Sequence, residues 1–186
     1  MLNNLAGILN DGVIAPLNSY ESIQTYTIGA GGATDVTFSI IPSTYKHLQI
    51  RAISRTSFAS YPDAGKMQFN GDTGNNYAWH RLSGDGSTAT AGGENTKSYM
   101  SLMDEAYAGN TSGIFTAEVI DILDYANTSK YKTSRALGGL DANGSGSVRL
   151  HSGLWQSTSA ITSIKLFPSN GNYVQYTQFA LYGIKG

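Results

Sequence analysis

The chain has 186 residues, enough for one domain of ordinary size, and its lack of cysteine excludes a disulfide framework, thiolate metal sites and cysteine nucleophiles. Lys+Arg 12 against Asp+Glu 13 leaves a net charge of −1, and charged residues make up only 13%, so there is no broad cationic footprint for nucleic acid or an anionic membrane. Polarity comes instead from Gly 22, Ser 21, Thr 17 and Asn 13, while 40% hydrophobic and 11% aromatic residues are enough for a core and exclude a disordered chain.

Residues 1–19 form a candidate N-terminal anchoring arm. Leu2, Leu5, Ile8 and Leu9 fall at i, i+3, i+6 and i+7, which places them on one side of a short helix or arm that Asp11-Gly12 would end. The segment lacks the basic start of a secretory signal, and no run of about 18 apolar residues crosses a membrane.

Residues 20–186 are expected to form a single domain, an all-β antiparallel β-sandwich in jelly-roll form with ten or eleven strands. Ile23 to Ile28 and Thr34 to Ile41 flank a glycine-rich turn, and Val36, Phe38 and Ile40 alternate with Thr37 and Ser39, so one face is buried. Tyr45 to Arg55 sends Leu48, Ile50 and Ala52 one way and Gln49, Arg51 and Ile53 the other. Further strands are predicted at Lys66 to Phe69, Tyr77 to Leu82, Lys97 to Met103, Ile114 to Asp124, Lys130 to Leu137, Ser147 to Gln156, Ala160 to Phe167 and Tyr173 to Ile184. Asn70-Gly71 and Asn143-Gly144 are turn signals, because both residue types accept positive φ. The low-complexity stretch Ser83 to Thr96 is predicted to be a long exposed loop.

The sequence offers little that could carry catalysis. His47, His80 and His151 have no metal-ligand spacing, and His47 and His151 lie opposite the apolar set of their strands. No G-x-S-x-G is present. Gly84 to Ala89 matches G-x-G-x-x-[GA] formally but lacks the strand, helix and acidic residue that phosphate binding needs. Asn70 to Asn76 has a single carboxylate, Asp72, so a turn is expected there and not a calcium loop. Alternation puts Glu118 and Asp124 on one face of their strand and Asp121 with Phe115, Ala117, Val119 and Leu123 on the other. Glu118 and Asp124 would then lie about 20 Å apart, too far for glycoside hydrolysis. Asp104 and Glu105 point in opposite directions if extended. No catalytic, cofactor or metal residue is assigned. Tyr77, Trp79 and Trp155 are candidate glycan or interface aromatics, because their rings could stack on a sugar face or cover a subunit contact.

Several strings resemble a recurrent structural module of tailed-bacteriophage virions: VTFSIIPSTYKHLQIRAISR (Val36 to Arg55), MQFNGDTGNNYAWHRLSGDG (Met67 to Gly86), VIDILDYANTSKYKTSRALGG (Val119 to Gly139), GLWQSTSAITSIKLFPSNG (Gly153 to Gly171) and QYTQFALYGIKG (Gln175 to Gly186). The similarity covers nearly everything after the arm. It implies a sandwich, with Phe38, Leu48, Ile50, Leu166, Phe179 and Leu181 pointing inward, that works by assembly or adhesion and not as an enzyme. The expected protein is a capsid decoration or cement protein that docks on the outer shell as a homotrimer. Its partners would be itself and the major capsid protein or another virion protein, with no nucleic acid and no membrane. It would be made in the host cytoplasm and end on the particle surface. The alternative is a tail-fibre or receptor-binding tip that recognises a host glycan. An arm shorter than 20 residues suits direct docking better than a projecting fibre.

Overall fold

The computed structural model describes residues 19–60 and 63–186. They form twelve strands and no helix: β1 (Tyr20–Thr27), β2 (Val36–Phe38), β3 (His47–Ser54), β4 (Asp63–Phe69), β5 (Tyr77–Gly84), β6 (Ala89–Lys97), β7 (Met100–Glu105), β8 (Thr116–Leu123), β9 (Lys132–Asp141), β10 (Gly146–Trp155), β11 (Ile164–Pro168) and β12 (Gln178–Ile184). Eight strands make one sheet in the order β1-β12-β3-β8-β9-β10-β5-β6, and four make the other in the order β2-β11-β4-β7. Every pairing is antiparallel. The chain crosses repeatedly between the sheets, a connectivity consistent with a jelly roll.

The expected alternation sets the core. Leu48, Ile50, Phe179 and Leu181 from the large sheet meet Phe38 and Leu166 from the small one, all six fully buried, together with Met67, Phe69, Met100 and Leu102. The two Asn-Gly turns behave as their chemistry requires. Asn70 and Gly71 have φ of 53° and 68°, and Asn143 and Gly144 have 56° and 110°, values that a β-branched residue would adopt only under strain.

Two expectations are corrected. Ser83 to Thr96 is not a long loop: β6 occupies Ala89–Lys97 and pairs with β5, leaving a tight turn closed by Asp85, whose Oδ1 accepts from the amides of Ser87 and Thr88. Because β6 is an exposed edge of Ala, Gly, Thr and Asn, it carries no apolar alternation to reveal it. Ile40 is not inward. The strand stops at Phe38, Ile40 turns at φ 56° and is 92% exposed, and Ile41 takes the buried place. The arm residues Leu2, Leu5, Ile8 and Leu9 lie outside the described residues.

Candidate functional site

At the end of the sandwich where β8 and β10 face β4 and β7, the interior is polar. Asp63 from β4, Asp104 and Glu105 from β7, and Glu118 from β8 are all buried, as are Arg149 and His151 from β10 and Tyr173 from the loop before β12. Arg149 pairs with Asp104 at 2.9 Å, and Ser147 Oγ donates to the same carboxylate at 3.0 Å. The Asp104 amide donates to Glu118 Oε1 at 2.7 Å. Ser54 Oγ donates to Glu105, and Thr56 Oγ1 donates to Asp63 at 2.8 Å. Two glycines leave room for these side chains. Gly138 stands beside Glu118 and Gly65 beside Glu105, each at a place where a Cβ would collide with the carboxylic side chain.

Four carboxyl groups thus share a buried site in which Arg149 pairs with Asp104 and favours the charged form of Glu118, and their proton affinities shift accordingly. Burial pushes Glu105 up to about 8 against the Ser54 hydrogen bond, with the Asp63 and Asp104 charges adding to the rise. Burial and then the charge of Glu105 hold Glu118 well above the usual carboxylate range. Burial raises Asp63 and Tyr173 as well. His151 moves the other way, down to about 4, because burial and then Arg149 disfavour its cation. Its Nδ1 lies 3.1 Å from the Ser101 carbonyl. The carboxyls are enclosed between the sheets, where burial favours their protonated forms.

The sequence does not reveal this cluster, because it depends on the registers of three distant segments. The signal it does contain is the phase of Glu118, which it shares with the core residues Ile120 and Ile122 and not with Ala117, Val119 and Leu123. Asp104 and Glu105 do not straddle a half-exposed strand: both are buried, as is all of β7. Asp124 is separate, at a surface turn, where it pairs with Lys46 at 3.0 Å and with Lys130, and its backbone amide donates to His47 Nδ1 at 2.9 Å.

The candidate aromatics are corrected. Tyr77, Trp79 and Trp155 are core residues, at 0%, 9% and 3% exposure, and offer no platform to a sugar or a neighbouring subunit. Tyr77 stacks on Trp155 with ring centroids 6.3 Å apart, and Phe69 meets Trp155 edge-on at 5.5 Å. The indole Nε1 donates to Asp72 Oδ2 at 2.7 Å. Gly74 and Asn76 also donate to that carboxylate, so Asp72 is the turn residue the sequence predicts. Although burial alone would raise its pKa, the donors Trp155, Asn76 and Gly74 outweigh it and hold the carboxyl below its usual range.

On the outer face of the large sheet the apolar alternation is inverted. Register aligns Val119, Leu137, Leu150, Leu82 and Ala91 in one row across β8, β9, β10, β5 and β6. The next row runs Ile53, Ala117, Gly139, Val148, Gly84 and Ala89 from β3 to β6. Leu82, Leu137 and Val148 are 56%, 57% and 62% exposed, while Arg149 and His151 on the opposite face of β10 are buried. A polar row of Asp121, Arg135, Ser152 and His80 bounds this band on one side, and the β9–β10 turn with Asp141 bounds it on the other. Beside that turn lie two adjoining depressions of about 440 and 400 Å³, lined by the tips of the β5–β6 and β9–β10 hairpins with Tyr107 and Asn110.

The chain matches no family model, no curated protein and no solved structure.

Proposed function

We propose that this chain is a non-enzymatic structural subunit of a tailed-phage virion, a decoration or cement protein that docks on the outer capsid shell as a homotrimer. The observation that carries the proposal is the outward apolar band across β3, β8, β9, β10, β5 and β6. Such a face lies at the upper end of what a monomer leaves uncovered, and a subunit would cover it. The resemblance of five long strings to virion modules, and a surface polar through hydroxyls and amides, agree with that role. The enclosure of the carboxyl cluster supports a structural role over a hydrolytic one.

The depressions beside the β9–β10 turn favour the second reading, a tail-fibre tip that holds a host glycan, since Asn110, Tyr107 and the turn serines offer sugar-sized hydrogen-bonding groups. Antibody labelling of purified particles in the electron microscope separates the two. Label distributed over the head is the expected result, label confined to the tail tip selects the second reading, and unlabelled particles reject both.

A further inference from the structure

We infer that the outward band is where copies of this chain meet, three of them around a three-fold axis with their bands lining it. This deepens the assembly reading above and rests on it. The exposed parts of Ile53, Leu82, Val119, Leu137, Val148 and Leu150 come to roughly 500–600 Å² of contiguous apolar surface, at the upper end of what a monomer leaves uncovered. A stable interface buries about 800 Å² per partner, with an apolar centre and a polar rim. The band supplies that centre, and the row of Asp121, Arg135, Ser152 and His80 supplies the rim.

The shape of the band decides the symmetry. It is two residues wide, about 7 Å along the strands, and five strands long from β8 to β6, about 19 Å across them, with Ile53 alone continuing it onto β3 because Arg51 stands opposite Val119. Two sheets stacked face to face would also cover the flanking polar row, including Arg135, whose side chain is 68% exposed and pairs with Asp121 at 3.0 Å. Three sheets inclined around an axis each bury only a narrow strip and leave the flanks wet. From β8 to β6 the two rows contain no charge, and around a three-fold axis the polar row of one copy faces the opposite flank of its neighbour, which carries Asp141.

The full chain tests this directly. Light scattering at micromolar concentration should give three times the 19.8 kDa chain mass. The double variant Leu137→Glu, Leu150→Glu should give one chain mass with an unchanged circular dichroism spectrum, while Tyr176→Glu, exposed away from the band, should remain trimeric. Since the chain has no cysteine, Leu150→Cys introduces a single thiol, and a short bis-maleimide should link two chains of every trimer and leave the third unlinked. This readout still applies if the double variant fails to fold. Complete linkage in pairs, a wild-type chain that scatters as a monomer, or a folded double variant that stays trimeric would each overturn the inference. A monomer that labels particles only with Leu137 and Leu150 intact would overturn self-association and leave the assembly reading standing. A trimer that labels no particle would do the reverse.

Discussion

Gly138 is required by the carboxyl group beside it. It pairs across the sheet with Glu118 on one side and Arg149 on the other, and a Cβ there would stand 2.5 Å from Glu118 Cγ. Glu118 cannot retreat, because it is buried and accepts from the Asp104 amide. Gly138→Ala is therefore expected to lower stability by about 1–3 kcal/mol in denaturant unfolding. Gly139→Ala, whose nearest neighbours would lie at 3.7 and 3.9 Å on the outer face, should stay within about 0.5 kcal/mol of the parent. Ile40 presents the opposite case. A β-branched residue at φ 56° costs about 1–2 kcal/mol, and at 92% exposure Ile40 recovers none of it by burial. Ile40→Gly should raise the thermal midpoint, and a lowered midpoint would show that the side chain contributes more than its exposure implies.

At the level of elements, the loop between β7 and β8 depends on one side chain from outside it. Arg55, just past the end of β3, donates to the carbonyls of Ile114 at 2.8 Å, Asn110 at 2.9 Å and Thr111 at 3.0 Å, a set that the planar fork of an arginine can reach together. Arg55→Ala should cost about 1–2 kcal/mol and speed amide exchange at Ala108, Asn110 and Ile114, and Arg55→Lys should restore little of either. The sequence conveys such elements unevenly. Strands β3 and β12 are legible because Leu48, Ile50, Phe179 and Leu181 alternate against polar or small residues, and the Asn-Gly pairs mark the turns between strands. Strand β6 is hidden because an edge strand of Gly, Ala and Thr has no buried face to impose a period of two. Strand β8 is ambiguous because both phases carry apolar side chains, Ile120 and Ile122 against Val119 and Leu123, and β10 misleads because its apolar residues Val148 and Leu150 face outward while Arg149 and His151 are buried. That double pattern in β8 makes the outward band legible once the inner phase is known. The carboxyl cluster is beyond any local pattern, since period and propensity say nothing about which distant strands become neighbours.

For the whole molecule, the buried cluster ties folding to protons, and the sign follows from the direction of each shift. Glu105 and Glu118 have folded pKa values raised above the ordinary 4.5 of a glutamate, so the stability they confer is full below that value and is lost as pH rises through their folded values. His151 is lowered from 6.5 to about 4, so its contribution is present above 6.5 and is lost as pH falls toward 4. Between pH 4.5 and 6.5 the histidine offsets about one of the two glutamates, so the decline there is about half as steep as above 6.5. Above 6.5 the histidine no longer titrates in either state, and the carboxyls set the trend up to about 8. The other groups facing them are Asp63, whose raised value adds to the glutamate trend, Tyr173, raised and silent in this range, and the Asp104–Arg149 ion pair. Stability should therefore decline from pH 6.5 to 8 by up to about 1.4 kcal/mol per pH unit for each glutamate. Denaturant melts across that range check the slope. Glu118→Gln keeps the shape and an acceptor for the Asp104 amide but removes one titrating proton, so it should flatten the decline by about one glutamate's share and leave the folded chain more stable than the parent at pH 8. A parent profile that rises between pH 6.5 and 8, or a Glu118→Gln variant with the parent's slope, would mean that these carboxyls are ionised in the folded protein and that Arg149 alone does not set the charge the interior tolerates.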